Sequence, residues 1–589
     1  MNINIDIVRI CGFRGISNIE ISLPRVTVLF GQNNAGKTSV IKALQLALGD
    51  YSRFLSDEDF HIDEAEKRQE IITVDLRFIA LKGDARALEF SKEWQQEFGE
   101  KIQAEPDGKQ FVAIRTTAKP DKVKGGYTVD RFHLESWPDN DGWQDVPFKN
   151  RNKLGKRLES VPFISIDAQR DIHNELKEKS SFIGRVLSSV EYNNQDVLEL
   201  ERMVAEINKE AIEKSEPLRQ LKNHLDNLNQ SFEGSGQAEL TPFPKKMRDL
   251  SKRFSVHFGD SDTNSFPMEY HGMGTRSWAS ILTVKAFTEL LAKNHRKEVK
   301  PFYPILAAEE PEVHLHPNAQ RTLFRQLQDI PGQVIISTHS PYLAGMSKLK
   351  NLRGLVRRSK SIQSVELIEG LDPEDINVLQ RAIMRFKGEL LFSKALILFE
   401  GVTEEQIIPA MFQACFGNPI FLFGISCISV SGCKNYHPFI KMALSFGIPV
   451  CIISDNDGNT QKEIERQIKK IEDNTILKLS PDVFQIFFLS EGNDMEGELI
   501  HALELRKEVT DALVMAETRG SNNCDYVQAK KDEISKLNDD ELIKKMRSSK
   551  TSYAGFLSTI IEMNPHERIV EELMPQAVID AFKKLKEWK

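Results

Sequence analysis

Six acidic residues stand in three closely spaced pairs, and each pair follows a short apolar segment in the last third of the sequence. They are Glu400, Glu404, Asp455, Asp457, Asp494 and Glu496. Carboxylate oxygens are the ligands that hard divalent cations such as Mg²⁺ prefer. Two such cations about 4 Å apart can activate a water molecule and stabilise the leaving oxygen when a phosphodiester bond is cleaved. The residue types therefore predict a metal centre for Mg²⁺, with Mn²⁺ or Ca²⁺ as alternatives.

The spacing within the pairs is what brings these acids together. Glu400 and Glu404 are four residues apart, so both can face one edge of a sheet if a helix begins at about residue 402. Asp455 and Asp457 alternate along an extended segment and therefore point the same way. A single pair is more often a solvated strand end or a helix cap than a catalytic site. Three pairs at successive strand ends favour a shared cation, which removes the repulsion between the carboxylates.

A second chemical pattern occupies residues 31–38, which read GQNNAGKT and match G-x-x-x-x-G-K-[ST]. The match lies between an apolar segment and a predicted helix, which is the setting of a phosphate-binding loop. In such a loop backbone N–H groups surround the phosphates, Lys37 reaches the β- and γ-phosphates, and Thr38 holds Mg²⁺. We therefore predict ATP as a ligand. The residues expected to contact the nucleotide or its metal are Gly31, Asn34, Gly36, Lys37, Thr38 and Ser39.

Two further strand ends carry residues suited to ATP hydrolysis. The segment 305–310 reads ILAAEE, a Walker B pattern in which Glu309 is expected to hold the Mg²⁺ shell and Glu310 to orient the attacking water. Aspartate is more usual where Glu309 stands, and we expect the longer side chain to slow turnover. The segment 335–341 reads IISTHSP and ends in His339, which is suited to contact a γ-phosphate.

Strands alternate with helices around both sets of residues, which predicts an α/β fold with parallel, doubly wound sheets. Residues 1–30 are expected to form two strands, the second running from residue 21 into the phosphate loop. A polar, helical stretch at about 186–232 interrupts the first α/β unit. Its leucine seam fits either a helix packed within the chain or a dimer contact, and Pro217 is expected to end the helix before it. The seam consists of Leu218, Leu221, Leu225 and Leu228.

Composition bounds the class of protein. The chain has 589 residues and a net charge of −8, and this charge neither indicates nor excludes nucleic-acid binding. No apolar run reaches the roughly 20 residues of a membrane span, and the six cysteines form no CxxC pair, so we expect a cytoplasmic protein without a membrane partner. Two basic clusters are candidate DNA contacts, although charge runs are usually solvated. They are Lys149, Arg151, Lys153, Lys156 and Arg157, and Lys245, Lys246, Arg248, Lys252 and Arg253.

The run E-E-P-E-x-H-L-H-P at 309–317, followed by S-T-H-S-P, resembles the ABC-type ATPases of the SMC and overcoming-lysogenization-defect (OLD) group. This resemblance implies that His339 is the switch histidine and that Gly274, in GMGTRS, belongs to the signature motif, although the motif departs from L-S-G-G-Q. It places Gln169 at the Q-loop. In this group the signature of one subunit closes over ATP held by another, so the resemblance implies at least a homodimer, with a tetramer as an alternative.

The later pattern E-G-x-x-E followed by D-x-D resembles the Toprim domain of primases, topoisomerases and OLD nucleases. An ABC ATPase followed by Toprim is the architecture of the OLD family, and the chain is similar to its shorter, class 2 type. By this resemblance Lys550, in RSSKTSYA, steadies the transition-state phosphate, although an ordinary solvated lysine is the alternative. The expected fold is an ABC-type ATPase with an inserted helical dimerisation segment, then Toprim. The expected parts are 1–180, 181–260 (insertion), 261–385 and 390–589.

The resemblance implies a divalent-metal-dependent DNA endonuclease regulated by nucleotide and acting on double-stranded DNA, in antiphage defence. Similar proteins include the nuclease subunit of Gabija, which works with a helicase-like partner, and retron effectors. An SMC-like DNA clamp with a non-catalytic Toprim fold is one alternative. Topoisomerase-like breakage is another, which needs a tyrosine nucleophile and leaves Tyr436, Tyr526 and Tyr553 open. The missing zinc motif disfavours a primase.

Overall fold

The structure is a computed structural model. It describes residues 2–588 except for positions 64, 84, 122, 124, 148–149, 156–157, 168–193, 221, 223–256, 260–264, 268–271, 299, 359–360, 369, 386–387, 475–478, 520 and 522.

The strands are β1 (Asn2–Phe13), β2 (Ile16–Ser22), β3 (Val26–Phe30), β4 (Ile72–Lys82), β5 (Ala85–Arg86), β6 (Gln103–Ala104), β7 (Gln110–Pro120), β8 (Tyr127–Leu134), β9 (Phe163–Ile166), β10 (His257–Gly259), β11 (Ser265–Pro267), β12 (Ile305–Glu309), β13 (Gln333–Ser337), β14 (Leu352–Arg358), β15 (Ser361–Val365), β16 (Ala395–Phe399), β17 (Ile425–Ser429), β18 (Val450–Ser454) and β19 (Phe484–Phe488). The longer helices are α1 (Lys37–Leu48), α2 (Lys92–Phe98), α3 (Asn194–Lys214), α4 (Met273–Lys297), α5 (Pro317–Gln328), α6 (Pro341–Met346), α7 (Pro373–Arg385), α8 (Val402–Phe416), α9 (Tyr436–Ser445), α10 (Thr460–Asn474), α11 (Arg506–Thr518), α12 (Cys524–Ser535), α13 (Asp539–Ser548), α14 (Lys550–Met563) and α15 (Gln576–Glu587). Among the described helices, none combines the length and the apolar composition needed to cross a membrane.

The N-terminal half contains two large sheets that face each other across α1, and a small two-stranded sheet formed by β10 and β11. One large sheet is antiparallel, with strand order β2-β1-β4-β7-β6, and β5 and β8 pair with its members. The other large sheet has the order β15-β14-β3-β13-β12-β9 and is parallel except for β15. Apolar residues of α1 join the inward faces of both sheets in one hydrophobic core. The parallel sheet confirms the doubly wound prediction, whereas the separate antiparallel sheet was not foreseen.

The predicted strand 21–30 is wrong, because it forms parts of two strands in different sheets. Residues up to Ser22 belong to β2, which pairs antiparallel with β1. Val26–Phe30 form β3, which lies parallel between β13 and β14. Pro24 lies at the break, where its missing N–H and fixed φ suit a bend rather than a continuous ladder. The bend sends the chain from one sheet to the other just before the phosphate loop.

The described part of the helical stretch agrees with the sequence in one respect. Helix α3 ends at Lys214, three residues before Pro217, and residues 216–220 are helical again. Leu221, Leu225 and Leu228 lie outside the described residues, so the predicted leucine seam stays a prediction. The boundaries of the insertion also stay predictions.

The C-terminal region contains a four-stranded parallel sheet with the order β17-β16-β18-β19. Helix α8 begins at Val402, which meets the condition under which Glu400 and Glu404 can face the same edge of the sheet. Because all four strands are parallel, their carboxyl ends meet at one edge, and β16 and β18 are direct neighbours there. The acidic residues that follow β16, β18 and β19 therefore gather at the same edge.

The two parallel sheets share part of their packing. One hydrophobic cluster includes Phe30 of β3, Leu379 of α7, Phe439 of α9 and Ile452 of β18. All ten residues of α9 are buried, since this helix lies between the two halves of the molecule. The ATP-loop sheet and the acidic sheet therefore belong to one continuous core rather than to two separately packed domains.

Candidate nucleotide and metal sites

The loop between β3 and α1 has the backbone of a phosphate-binding loop. Gly31, Asn34 and Gly36 have φ values of 148°, 64° and 90°, a region that glycine reaches without strain. A side chain at Gly31 would also collide, because its Cβ would lie 2.4 Å from the carbonyl oxygen of Leu355. Lys37 begins α1 directly after Gly36. The backbone therefore has the conformation that the motif predicts, with a helix N-terminus behind it.

A cavity of about 640 Å³ opens against this loop. It brings the loop together with the ends of β12 and β13. The expected residues that line it are Asn34, Gly36, Lys37, Thr38, Ser39, Glu310 and His339. Sequence reasoning missed Arg14, Glu58 and Asp59, which also line it. Arg14 stands in the turn between β1 and β2, and no spacing rule relates that turn to the phosphate loop.

Lys37 is held inside this cavity by the loop itself. Its Nζ donates hydrogen bonds to the carbonyl oxygens of Gly31 (2.9 Å) and Gln32 (3.0 Å). Burial lowers the pKa of Lys37 to about 8, since the charged ammonium loses water, although the carboxylates of Glu310 and Glu312 oppose this effect. A phosphate anion in the cavity would supply the counter-charge that this buried ammonium lacks.

The two acids at the end of β12 lie in different surroundings. Glu309 Oε1 is 3.3 Å from Lys42 Nζ of α1, which also bonds Asp167 at 3.1 Å. Burial raises the pKa of Glu309. Glu310 has a φ of 44°, and its Oε1 lies 3.4 Å from His339 Nε2. The pKa of His339 is lowered by burial and by the Lys37 charge, which favours a neutral imidazole facing the cavity.

Glu312 holds the end of β13 in place, a role that the sequence did not reveal. One of its oxygens accepts hydrogen bonds from the Thr338 hydroxyl (2.5 Å) and from the backbone N–H groups of His339 (3.1 Å) and Ser340 (3.2 Å). The side chain is only 7% exposed, and burial raises its pKa. The acid two positions after the Walker B pair therefore fixes the backbone at His339.

The predicted signature residue Gly274 lies in the first turn of α4, close to the loop that follows β12. A Cβ at Gly274 would lie 2.4 Å from the carbonyl oxygen of His314, so only glycine permits this approach. Gly274 is not among the described residues that line the cavity. Gln169 lies outside the described residues. Neither residue is therefore placed against nucleotide within this single chain.

At the acidic edge, Glu400 and Glu404 follow β16, and Gly401 lies between them along the chain. Glu400 Oε1 accepts a hydrogen bond from the Ser454 hydroxyl at 2.7 Å, which connects the ends of β16 and β18. Glu404 is 5% exposed, in the first turn of α8. A Cβ at Gly401 would lie 2.7 Å from Glu404 Oε2. The E-G-x-x-E spacing therefore leaves room for the second carboxylate to fold back toward the sheet edge.

The electrostatics of this edge show that the acids have been brought together. Burial raises the pKa of Asp455 to about 9, and the charges of Glu404, Glu400, Asp494 and Asp457 add to the rise. Burial also raises the pKa of Glu404 to about 7. Asp455 Oδ1 and Glu404 Oε2 are buried without a hydrogen-bond partner in the described structure. Such oxygens fit a hard divalent cation, which replaces the missing donors and cancels the like charges.

Asp494 and Glu496 differ from the other four acids, because basic side chains already compensate them. Asp494 accepts from Arg547 Nε and from the Gly497 N–H, and despite burial these bonds hold its pKa below the usual value. Glu496 is fully buried and accepts from Lys550 Nζ (3.0 Å), the Tyr553 hydroxyl (3.1 Å) and the Thr403 hydroxyl (2.7 Å). Lys550, at the start of α14, therefore stands within the acidic cluster.

The acids are near one another without forming a finished metal cage. Asp457 accepts a hydrogen bond from the Thr460 hydroxyl at 3.1 Å, beside the N-terminus of α10. Within the described ranges, no group of three or more carboxylate, imidazole or thiol side chains is already arranged as a metal-binding set.

Other sequence candidates have plainer surroundings. Arg151 and Lys153 pair with Glu135 and Asp130, and the rest of the two basic clusters lies outside the described residues. Tyr436 and Tyr553 are fully buried, so neither hydroxyl can reach a DNA strand, whereas Tyr526 is 43% exposed. This burial argues against two of the three tyrosines as topoisomerase nucleophiles.

Comparison with known proteins agrees with this geometry. The family described as AAA ATPase domain matches residues 3–344, which include the phosphate loop, Glu309, Glu310 and His339. The family described as overcoming lysogenization defect protein-like, TOPRIM domain, matches residues 391–457, which include Glu400, Glu404, Asp455 and Asp457. The first domain implies use of a nucleotide and the second implies use of a divalent metal.

Three relatives are similar along most of the chain. An OLD nuclease of Thermus scotoductus is 25% identical, over 76% of this chain and 80% of the relative. The Old nuclease of Escherichia phage P2 is 24% identical, over 78% of each chain. The endonuclease GajA of Bacillus cereus strain HuB5-5 is 21% identical, over 77% of this chain and 73% of the relative. The chain belongs to the AAA ATPase family, and with the Toprim domain that follows it is similar to the OLD nucleases along most of its length.

Proposed function

We propose that this protein is a divalent-metal-dependent DNA endonuclease whose activity is regulated by ATP, in antiphage defence. The observation that carries the proposal is the acidic edge, where buried oxygens of Asp455 and Glu404 lack donors among neighbouring like charges. Such a cluster costs stability unless a cation neutralises it, and this kind of cost is typical of functional sites. The named activities of the OLD and GajA relatives agree with it.

We assign metal binding to Glu400, Glu404, Asp455 and Asp457, with Mg²⁺ or Mn²⁺ as the cation. When bound, the metal supplies Lewis-acid stabilisation of the phosphate and lowers the pKa of a coordinated water. The Ser454 hydroxyl orients Glu400 through its 2.7 Å hydrogen bond. Asp494 already forms an ion pair with Arg547, so its oxygens are less available to a cation and it is a weaker ligand candidate.

Lys550 is the residue that we assign to the scissile phosphate. Its side chain is 40% exposed, and Glu496 holds the ammonium at the acidic edge. The neighbouring acids raise the pKa of Lys550 although burial opposes them, so the group stays cationic for a phosphate oxygen. Glu496 is a positioning residue in this assignment, because its oxygens are already shared among Lys550, Tyr553 and Thr403.

The ATP cavity acts as a sensor in this proposal. Lys37 and Thr38 bind the phosphates and their Mg²⁺, Glu310 orients water, and His339 contacts the γ-phosphate. Glu309, paired with Lys42, suits slow hydrolysis. Since Gly274 does not line the cavity of its own chain, a second subunit would complete the site, so we propose a homodimer or higher oligomer. Double-stranded DNA is the proposed substrate, and a helicase-like protein is a candidate partner.

Supercoiled plasmid separates this proposal from its alternatives. We expect nicked or linear DNA with Mn²⁺ or Mg²⁺ and none after chelation. Relaxed, covalently closed topoisomers would indicate a topoisomerase instead. A gel shift without any cleavage, with every metal tried, would indicate an SMC-like clamp and would overturn the nuclease assignment.

A further inference from the structure

Helix α9 lies between the two candidate sites, although neither motif includes it. Every residue from Tyr436 to Ser445 is buried, which is unusual for a helix in a domain that stands alone. Phe439 and Met442 belong to the same hydrophobic cluster as Leu379 of α7 and Ile452 of β18. The helix is therefore a wall shared by the ATPase part and the Toprim part.

The C-terminal end of α9 meets the strand that carries the phosphate loop. Phe446, the residue after the helix, packs edge-to-face on Phe30 with ring centroids 5.2 Å apart and an interplanar angle of 78°. Phe30 is the last residue of β3, and Gly31 follows it directly. A displacement of the loop when phosphates bind would therefore reach α9 through one ring contact, because packed interiors have little free volume to absorb it.

The N-terminal end of α9 meets the acidic cluster. The Tyr436 side chain is fully buried, and its hydroxyl lies beside the Ser454 hydroxyl, which donates a hydrogen bond to Glu400. The charges of Glu400, Asp455 and Glu404 act on this hydroxyl and, with burial, raise its pKa. Gln467 of α10 fixes this end, since it accepts from the His437 N–H (2.9 Å) and donates to the Cys433 carbonyl (2.7 Å).

Polar contacts tie the body of the helix to the ATPase side. His437 Nδ1 lies 3.0 Å from Asp375 Oδ2 of α7. Near the other end, the Ser445 hydroxyl accepts from the Ile368 N–H at 3.2 Å. A ten-residue helix is roughly 15 Å long and resists bending over that length. Movement at Phe446 or Asp375 would therefore be carried to Tyr436.

We propose that Tyr436 is a positioning residue of the metal site and that α9 couples the position of Tyr436 to the conformation of the phosphate loop. Nucleotide at the loop thereby alters cleavage at the acidic edge through this helix within one chain. The inference rests on the proposed nuclease function and adds the route of its regulation. Its physical basis is that ATP favours one packing of Phe30 against Phe446, and an effector shifts an equilibrium only by such a difference.

The test compares two matched substitutions of buried phenylalanine. Phe446→Leu weakens the ring contact with Phe30, whereas Phe582→Leu weakens a similar edge-to-face contact with Phe412, at 5.0 Å and 77°, away from the ATPase. Plasmid nicking is measured with and without a non-hydrolysable ATP analogue at fixed free Mg²⁺. In Phe446→Leu we expect the analogue to change the nicking rate less than in the wild type, so that the ratio of the two rates comes closer to one by about two- to thirtyfold. Phe582→Leu should keep the wild-type ratio, and calorimetry should show the same analogue affinity in all three proteins.

A second variant distinguishes the proposed coupling from a local packing defect caused by Phe446→Leu. Asp375→Asn removes the charge facing His437 and should move the ratio in the same direction. Tyr436→Phe keeps the ring and should raise the metal concentration for half-maximal cleavage, with an unchanged melting temperature. Wild-type ratios in both Phe446→Leu and Asp375→Asn would overturn the proposal, as would a wild type whose nicking ignores the analogue.

Hydrogen–deuterium exchange of residues 433–446 gives a readout that needs no cleavage. We expect the analogue to change exchange there in the wild type and not in Phe446→Leu. If no DNA is cut but this pattern holds, the nuclease function fails and the helix link stands. If DNA is cut and exchange in this segment ignores the analogue, the link fails and the nuclease function stands.

Discussion

The nucleotide cavity and the acidic edge are built at equivalent places of two parallel sheets, yet their charges are balanced in opposite ways. In the cavity, Lys37 bonds two loop carbonyls and Glu310 faces His339, and beside the cavity Glu309 faces Lys42. At the acidic edge, Arg547 forms an ion pair with Asp494 and Lys550 forms one with Glu496. The four remaining acids have no such ion pair among the described residues, and their like charges act on one another.

The two sites therefore require different contributions from their ligands. The phosphate loop is held open by its own hydrogen bonds and backbone conformation, so a nucleotide meets a prepared surface. The four acids of the edge repel one another, so their final arrangement depends on a cation. The first site is organised by the chain, and the second is completed by what binds to it.

The largest effect is expected for Asp455→Ala. Loss of this carboxylate should lower the cleavage rate by more than about a hundredfold, because even residues outside the ligand set of a metal cost about ten- to a hundredfold. ATP binding by calorimetry should be unchanged, since the cavity is built from other strands. Glu472→Ala, an exposed acid of α10, is the matched control. Wild-type cleavage by Asp455→Ala at equal metal concentration would remove the metal-site assignment.

Lys37→Ala tests the other site. Removal of the buried ammonium should raise the Kd for ATP roughly ten- to a hundredfold, as expected when charge-assisted hydrogen bonds worth about 1.5–3 kcal/mol are lost. Cleavage without nucleotide should stay near the wild-type rate, and its response to ATP should disappear. Lys92→Ala, an exposed lysine of α2, is the control. Tight ATP binding by Lys37→Ala would contradict the cavity assignment.

The next test is whether the buried Glu496 acts through Lys550, and it uses the variants Glu496→Gln and Lys550→Ala. Each should lower the cleavage rate by about ten- to a hundredfold, since the phosphate loses a charge-assisted hydrogen bond worth about 1.5–3 kcal/mol. The double variant should be no slower than Lys550→Ala alone, because the two changes remove one shared interaction. The rates are measured at saturating metal. Additive losses would mean that Glu496 has a separate role, such as direct metal binding.

The smallest effect concerns Glu312. Glu312→Ala removes the acceptor of three hydrogen bonds at Thr338, His339 and Ser340 and should lower the free energy of unfolding by about 1–3 kcal/mol. Glu312→Gln keeps an acceptor oxygen and should retain most of this stability. Urea unfolding measures both variants. Equal stability of Glu312→Ala and the wild type would show that the backbone at His339 does not depend on this side chain.

Sequence reasoning located the chemistry better than the packing. The phosphate loop and the strand-end acids follow from local patterns, and the structure has them where they were predicted. Pro24 was visible in the sequence, yet the change of sheet at that residue was missed, since each half of the segment is a sound strand by itself. Arg14, Asp59 and Glu312 were missed as well, because their contacts join residues distant along the chain.

Which chemical groups are available, and at which strand ends they stand, follows from the order of residues along the chain, because strand, loop and helix depend on short-range spacing. Tertiary structure alone decided that Asp494 and Glu496 have basic partners while Asp455 and Glu404 do not. It alone placed α9 between Phe30 and the acids. These outcomes depend on which buried surfaces meet, and burial, which sets the pKa values and the partners, is a property of the packed chain rather than of any segment.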